Sequence, residues 1–141
     1  MTIDLVRNSG VSLKDFGAVL ELVEKGKVVI IACSHDALPQ YQEGWHDIIV
    51  HSLVDTAAQW AALTIMPDGV EILDPIAHPL VTYETPMNMD KIIATGRVIK
   101  IYAAKIDTEA TLTDESGNVI AKMQMNVLLS TRLDESEPCE L

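Results

Sequence analysis

The chain has 141 residues, 48% hydrophobic and 4% aromatic, with 10 Lys and Arg against 21 Asp and Glu, a net charge of −11. That length and apolar fraction specify one domain able to bury a core without disulfides or metal. The acidic excess excludes nucleic acid or an anionic membrane surface as the principal partner, because the long-range field repels either polyanion. The two cysteines, Cys33 in an apolar run and Cys139 in an acidic stretch, make no disulfide framework and suit a reducing compartment. The opening MTIDLVRNSG lacks an apolar segment after a basic start, so a cytoplasmic protein is expected.

Residues 16–23 and 28–33 are apolar, β-branched runs on either side of Lys25-Gly26-Lys27, which predicts a hairpin with a tight turn. Residues 34–44 (SHDALPQYQEG) are polar, with a proline and a closing glycine, the composition of a loop. From Asp47 to Met66 the residues Val50, Leu53, Val54, Ala57, Trp60, Ala61 and Ile65 recur at spacings of three and four, and Pro67-Asp68-Gly69 ends the run. That is a helix of about five turns, apolar nearly all round, which by pattern belongs in the protein interior.

Strands are expected in the rest of the chain. Residues 70–83 are interrupted by Pro75 and Pro79, which suits an irregular or edge strand, and residues 92–101 form another. Tyr102, Ala104, Ile106, Thr108, Ala110 and Leu112 then alternate with Lys105, Asp107 and Glu109. After a turn at residues 114–118 the alternation resumes as Val119, Ala121, Met123, Met125, Val127 and Leu129, a hairpin with one buried face. Residues 134–141 (DESEPCEL) read as an acidic flexible tail beyond a single domain of residues 1–133. The class is α+β. A helix about 30 Å long, with no second helix to pack on, must lie in the concave face of a curled sheet. This is the hotdog arrangement, a long central helix wrapped by an antiparallel sheet of about five or six strands.

Asp55 lies among Leu53, Val54, Ala57 and Ala58. It is either a structural group satisfied by His51 and Gln59, at i−4 and i+4 on one helix face, or a working acid. A buried carboxylate is costly without a partner, and residues 28–90 contain no Lys or Arg, which favours the functional reading. Asp47, at the helix start, suits an N-cap. His46, His51 and Asp55 lack the i, i+4 histidine pair of helical zinc sites, and His35 and His78 fall in a loop and a broken strand, so no metal is expected. Met66, Met87, Met89, Met123 and Met125 read as core or as an adaptable lining for an acyl chain.

The segment QYQEGWHDIIVHSLVDTAA, residues 40–58, places a glycine and a histidine at the helix entrance and an aspartate nine residues after that histidine, followed by Thr-Ala-Ala. It resembles the acyl-CoA thioesterases of the phenylacetate-pathway type within the hotdog superfamily, whose pattern runs Gly, His-Gly-Gly, an apolar stretch, then Asp-Thr-Ala-Ala. In element order the resemblance spans residues 15–129, including Pro86 and the closing hairpin. It implies that Asp55 is nucleophile or general base and that the backbone N–H of Asp47 polarises the thioester carbonyl, with His46 at the helix entrance. Gln40 takes the place of a glutamine that assists at the carbonyl, unless Gly44, one place off, makes Gln42 the match. Gln59 stands where a hydroxyl residue follows the acid by one turn, and Ile48, His51 and Gln59 border the substrate. The implied substrate is a small or medium acyl-CoA, with coenzyme A present as part of it and no other cofactor. Nine acidic residues and no Lys or Arg lie between residues 28 and 90. Contacts to the phosphates therefore fall to Lys91, Arg97, Lys100, Lys105 or Lys122.

Two departures accompany the resemblance. Asp47 and Ile48 replace both glycines after the histidine, and Ile101-Tyr102-Ala103-Ala104 stands where the related enzymes often carry a basic Gly-Arg-Arg-like run. A glycine lets a carbonyl approach the backbone without a Cβ in the way, and a carboxylate beside a developing oxyanion opposes its stabilisation. A non-catalytic acyl or acyl-CoA binding protein is thus the alternative from a different class. A hotdog dehydratase or hydratase is the weaker third reading, since the proline-flanked histidine motif is absent. Asp47 and Asp55 are about 12 Å apart by the helical rise, whereas a nucleophile and its oxyanion donor both lie about 3 Å from one carbonyl. A homodimer with antiparallel helices resolves this by sharing the site, and the resemblance adds tetramers of paired dimers.

Overall fold

The structure, a computed structural model, describes residues 17–36, 47–83 and 90–131. The expected tail, residues 134–141, lies outside them. Seven strands form one antiparallel sheet: β1 (Ala18–Glu24), β2 (Lys27–Cys33), β3 (Ile72–Ala77), β4 (Val81–Thr82), β5 (Lys91–Ile101), β6 (Lys105–Thr113) and β7 (Val119–Leu129). Their order is β1-β2-β5-β6-β7-β3, with β4 also paired to β7. Helix α1 (Asp47–Leu63) crosses the concave face against β2, β5, β6 and β7. None of the described helices is long and apolar enough to cross a membrane.

The β1–β2 hairpin turns at Lys25-Gly26 as expected, with Glu24 opposite Lys27 and Gly26 at φ +82°, a conformation that costs a side chain dearly. This turn is tied to the end of α1. The Gly26 N–H donates to the Thr64 hydroxyl (2.7 Å), which itself donates to the Ala61 carbonyl (2.6 Å). The helix ends at Leu63, three residues before the sequence pattern does. Bonds from the Ile65 N–H to the Ala62 carbonyl and from the Met66 N–H to the Leu63 carbonyl draw the last turn tighter.

Small side chains set how close the helix lies. Ala57, Ala58, Ala61 and Ala62 are fully buried, and in the sheet Ala94, Gly96 and Ala110 also lack bulk. Gly96 marks the closest approach. A Cβ there would overlap the carbonyl oxygen and carbon of Ala57 and come within 3.1 Å of the Ala58 nitrogen. An isolated glycine inside a strand signals such an approach. Larger residues, Ile30, Leu53, Ile92, Ile106, Leu112 and Met123, fill the core around this contact.

Three strand details differ from the sequence reading. Residues 70–83 break once, not twice, because Pro75 sits inside β3 while the chain leaves the sheet around Pro79. The His78 N–H donates to the Gln124 carbonyl (2.9 Å), so alternate residues back through Asp74 point their backbone at β7. Pro75 then faces the free edge, where its missing N–H costs nothing. Tyr102 and Ala104 are exposed in the β5–β6 turn and are not part of the buried face of β6, which begins at Ile106. On β7, Val119 is 44% exposed and Ile120 fully buried. A register shift opposite Leu112 and Thr113 places one extra residue there, and the expected alternation holds only from Ala121 onward. The intervening turn is held by Asp114. Its carboxylate accepts from the Asn118 side chain and from the backbone N–H groups of Asn118 and Ser116, which hold it below the usual carboxylate range.

Candidate active site

Helix α1 is sealed on most of its circumference but not all of it. Leu53, Val54, Thr56, Ala57, Ala58, Trp60 and Ala61 are buried, whereas His51 is exposed and Ser52, Asp55, Gln59 and Leu63 are half-buried. Residues 51, 55, 59 and 63 are each one turn apart, so they form a stripe along the helix that the sheet does not cover. The sequence places His51, Asp55 and Gln59 on one helix face, but does not show that this face stays open along its length.

Asp55 sits midway along it. Partial burial pushes its carboxyl above the ordinary range, and the neighbouring His51 pulls it part of the way back. This is the balance expected of an acid held beside an apolar helix surface with one weak cationic neighbour. Asp47 and Ile48 are the first two residues of α1, so the Asp47 N–H is among the helix amides without an intrahelical acceptor. Gln40 and His46 lie outside the described residues. Asp47 and Asp55 share one straight helix, and within a single chain their separation of about 12 Å stands.

The expected phosphate ligands are spread over the sheet: Lys91 opens β5 opposite Cys33, and Lys122 on β7 pairs with the Glu109 carboxylate at 3.3 Å. Arg97 is exposed on β5, between Lys27 of β2 and Glu109 of β6. Lys100 is exposed and Lys105 half-buried at the β5–β6 turn, where both ammonium groups face the ring of Tyr102, at 5.0 and 4.3 Å from its centroid. Lys105 also meets the Asp107 carboxylate at 3.6 Å. Gly96 packs on Ala57 and the Val98 N–H donates to the Gly26 carbonyl beside Thr64, so β5 runs toward the carboxyl end of α1. Lys100 lies about 13 Å further along that strand than Gly96. One chain therefore carries its helix acid and its cation pair in separate places, with Asp47 at the opposite helix end. Sequence reasoning missed Ser52 beside the open stripe, Gly96 against the covered face of the helix, and the Tyr102 ring near both lysines. Only Gly96 carried a signal, as a lone glycine in a strand.

A long helix held in a curled antiparallel sheet, carrying an acid on its one uncovered stripe, defines the fold: this is a hotdog protein with the architecture of thioesterase-superfamily structures. The PaaI protein of the Escherichia coli phenylacetic acid degradation operon is similar at 13% identity and a TM-score of 0.70, over 90% of this chain and 88% of that one. A hypothetical thioesterase from Streptococcus pneumoniae, solved with coenzyme A, is similar at 12% identity and a TM-score of 0.70, over 94% and 98%. A Streptococcus mutans protein bound to acetyl-CoA is similar at 14% identity and a TM-score of 0.64, over 82% and 90%. No protein-family model and no curated protein sequence matches the chain.

Proposed function

We propose that the protein hydrolyses a small or medium acyl-CoA thioester at a site shared between two subunits. The observation that carries this reading is Asp55, a carboxylate with a raised pKa on the open stripe of an otherwise buried helix. Residues 28–90 offer no Lys or Arg to neutralise it. Two proteins of the same fold were solved with coenzyme A or acetyl-CoA, which supports the ligand class. In the reaction Asp55 takes a proton from the attacking water, or attacks the thioester carbonyl to form a mixed anhydride that water then hydrolyses to release the acid and restore the carboxylate. The Asp47 N–H and Gln40 hold the carbonyl oxygen as it gains charge, His46 braces the helix entrance, and the coenzyme A thiolate leaves. Ile48, His51 and Gln59 border the acyl end, and Arg97, Lys100 and Lys105 serve the phosphates.

Two features support sharing: the separation of about 12 Å along the helix and the surface the chain leaves uncovered. Beyond the helix stripe, the β3–β4 edge exposes Leu73 (70%), Ile76 (45%), Val81 (50%) and Tyr83 (62%). An uncovered edge strand with large apolar side chains is a surface that natural proteins cover or pair. A second copy, in a homodimer or a tetramer of dimers, is the occupant we assign. The loss of both glycines after His46 favours the second reading, a non-catalytic acyl-CoA binding protein.

Mixing separates these readings. Asp55→Ala and a variant with Gln40 and the helix-entrance segment replaced are each expected to be inactive. Refolded together in equal amounts, they should recover about a quarter of wild-type activity per site, since one site in each mixed dimer regains both halves. An inactive mixture, with mixed dimers verified by mass spectrometry, overturns the shared site. Wild-type protein that binds acyl-CoA without turning it over supports the binding reading.

A further inference from the structure

The β5–β6 turn is rigidly built for so exposed a position. The Tyr102 N–H donates to the Lys105 carbonyl (2.8 Å), and the Leu129 N–H of β7 donates to the Ala104 carbonyl (3.0 Å), so both sides of the turn are fixed by backbone bonds. Tyr102 itself remains 39% exposed, with Ile99 and Ile101 exposed beside it. Two ammonium groups of like charge share its ring. Their mutual repulsion would separate them on a plain turn, but the negative face of an aromatic ring attracts each. Lys105 has one carboxylate partner, Asp107, and among the described residues Lys100 has none. In a chain of net charge −11, two ammonium groups thus lie within 5.0 Å of the centre of one exposed ring, with Asp107 opposite Lys100 in the strand register as the nearby carboxylate.

We propose that Tyr102 is a positioning residue, whose ring holds Lys100 and Lys105 as a preformed pair that receives the phosphates of an anionic carrier. It rests on the thioester reading above only for its consequence in turnover. Two free lysine side chains must lose rotamer freedom when they close on an anion. A pair already gathered on a ring loses less, so removing the ring weakens anion binding while leaving both charges in place. The ring, and not the hydroxyl, supplies the attraction, so phenylalanine should substitute for tyrosine.

The test uses inorganic pyrophosphate as the probe, followed by calorimetry at low salt on the full chain. Tyr102→Leu should weaken pyrophosphate binding about fivefold or more, the scale of losing two exposed cation–π contacts. Tyr102→Phe should stay within about twofold of wild type. Lys100→Gln combined with Lys105→Gln should abolish binding. In hydrolysis assays Tyr102→Leu should raise KM for acyl-CoA with kcat unchanged, because the turn is remote from Asp55. Equal affinity of wild type and Tyr102→Leu for pyrophosphate overturns the proposal, as does a Tyr102→Phe protein as weak as Tyr102→Leu. If pyrophosphate behaves as expected but no variant hydrolyses any acyl-CoA, the cation pair stands and the hydrolysis reading falls. Because Tyr102 is on an exposed turn, all three variants should keep the wild-type Tm.

Discussion

Replacing Gly96 by alanine tests the spacing between helix and sheet directly. In an ordinary strand the change stabilises by about 0.5–1 kcal/mol, since glycine loses more backbone freedom on folding. At Gly96 the sign should reverse. The new methyl overlaps the backbone carbonyl of Ala57 and crowds the Ala58 nitrogen, and a helix backbone packed across four strands cannot rotate aside as a side chain would. Overpacking of a well-filled core costs about 1–3 kcal/mol, and a clash with backbone belongs at the upper end. For a domain of this size about 3 kcal/mol corresponds to a Tm lowered by about 10 °C. The helix must lift off the sheet to relieve it, and Asp55, two residues before Ala57, moves with it. Calorimetry of wild type, Gly96→Ala and Gly96→Ala with Ala57→Gly provides the measurement. Trimming Ala57 should restore nothing, because its carbonyl, not its methyl, is the obstacle. A Gly96→Ala protein as stable as wild type, or a double variant that recovers, would refute the reasoning.

Thr108 on β6 is buried, and its hydroxyl is the buried side-chain polar atom without a hydrogen-bond partner among the described residues. Thr108→Val, which keeps the shape, should therefore stabilise by about 1 kcal/mol, and a lowered urea midpoint would contradict this. Thr64→Val removes the acceptor for the Gly26 N–H and should cost about 1–3 kcal/mol in urea unfolding; an unchanged midpoint would show that water replaces the hydroxyl. Burial raises the Asp55 pKa, so the folded state binds this proton more tightly than the unfolded one. The associated stability is present below the unfolded value of about 3.9 and is lost as pH rises through the folded value. Asp55→Asn, which stays neutral, should accordingly exceed wild type in Tm at pH 7, with the gain vanishing toward pH 4. A gain that grows on acidification would reverse the sign argument. The same ionisation should appear as an acid limb of kcat/KM displaced upward from the ordinary carboxylate range, and His51→Ala should move that limb further up. A limb that stays in place would remove His51 from the site.

Local pattern determined a great deal of this protein. The spacing of Val50, Leu53, Val54, Ala57, Trp60 and Ala61 was enough to place the central helix. The alternation from Ile106 to Leu129 was enough to place the last hairpin, and one helix with nothing but strands to pack on left little choice of architecture. These features depend on periodicity, which residues close in sequence specify among themselves. The aspartate at position 55 was legible as a candidate for the same reason, as a charge interrupting an apolar helix with no cation near it in sequence. What tertiary structure alone decided are the quantities that arise between distant segments. The helix sits as low as it does because Gly96, some forty residues later, has no Cβ to hold Ala57 away. The stripe through His51, Asp55 and Gln59 lies on one helix face in sequence, but it is open only because the sheet curls around the other faces. Pro75 points to an edge strand in sequence, as β3 is, but only the strand order reveals that its nitrogen faces the free edge and leaves the strand unbroken there. Alternation places Tyr102 on a buried face, yet it stands exposed with two lysines at its ring, because the backbone bonds of the β5–β6 turn, not the alternation of residues, fix where its ring goes.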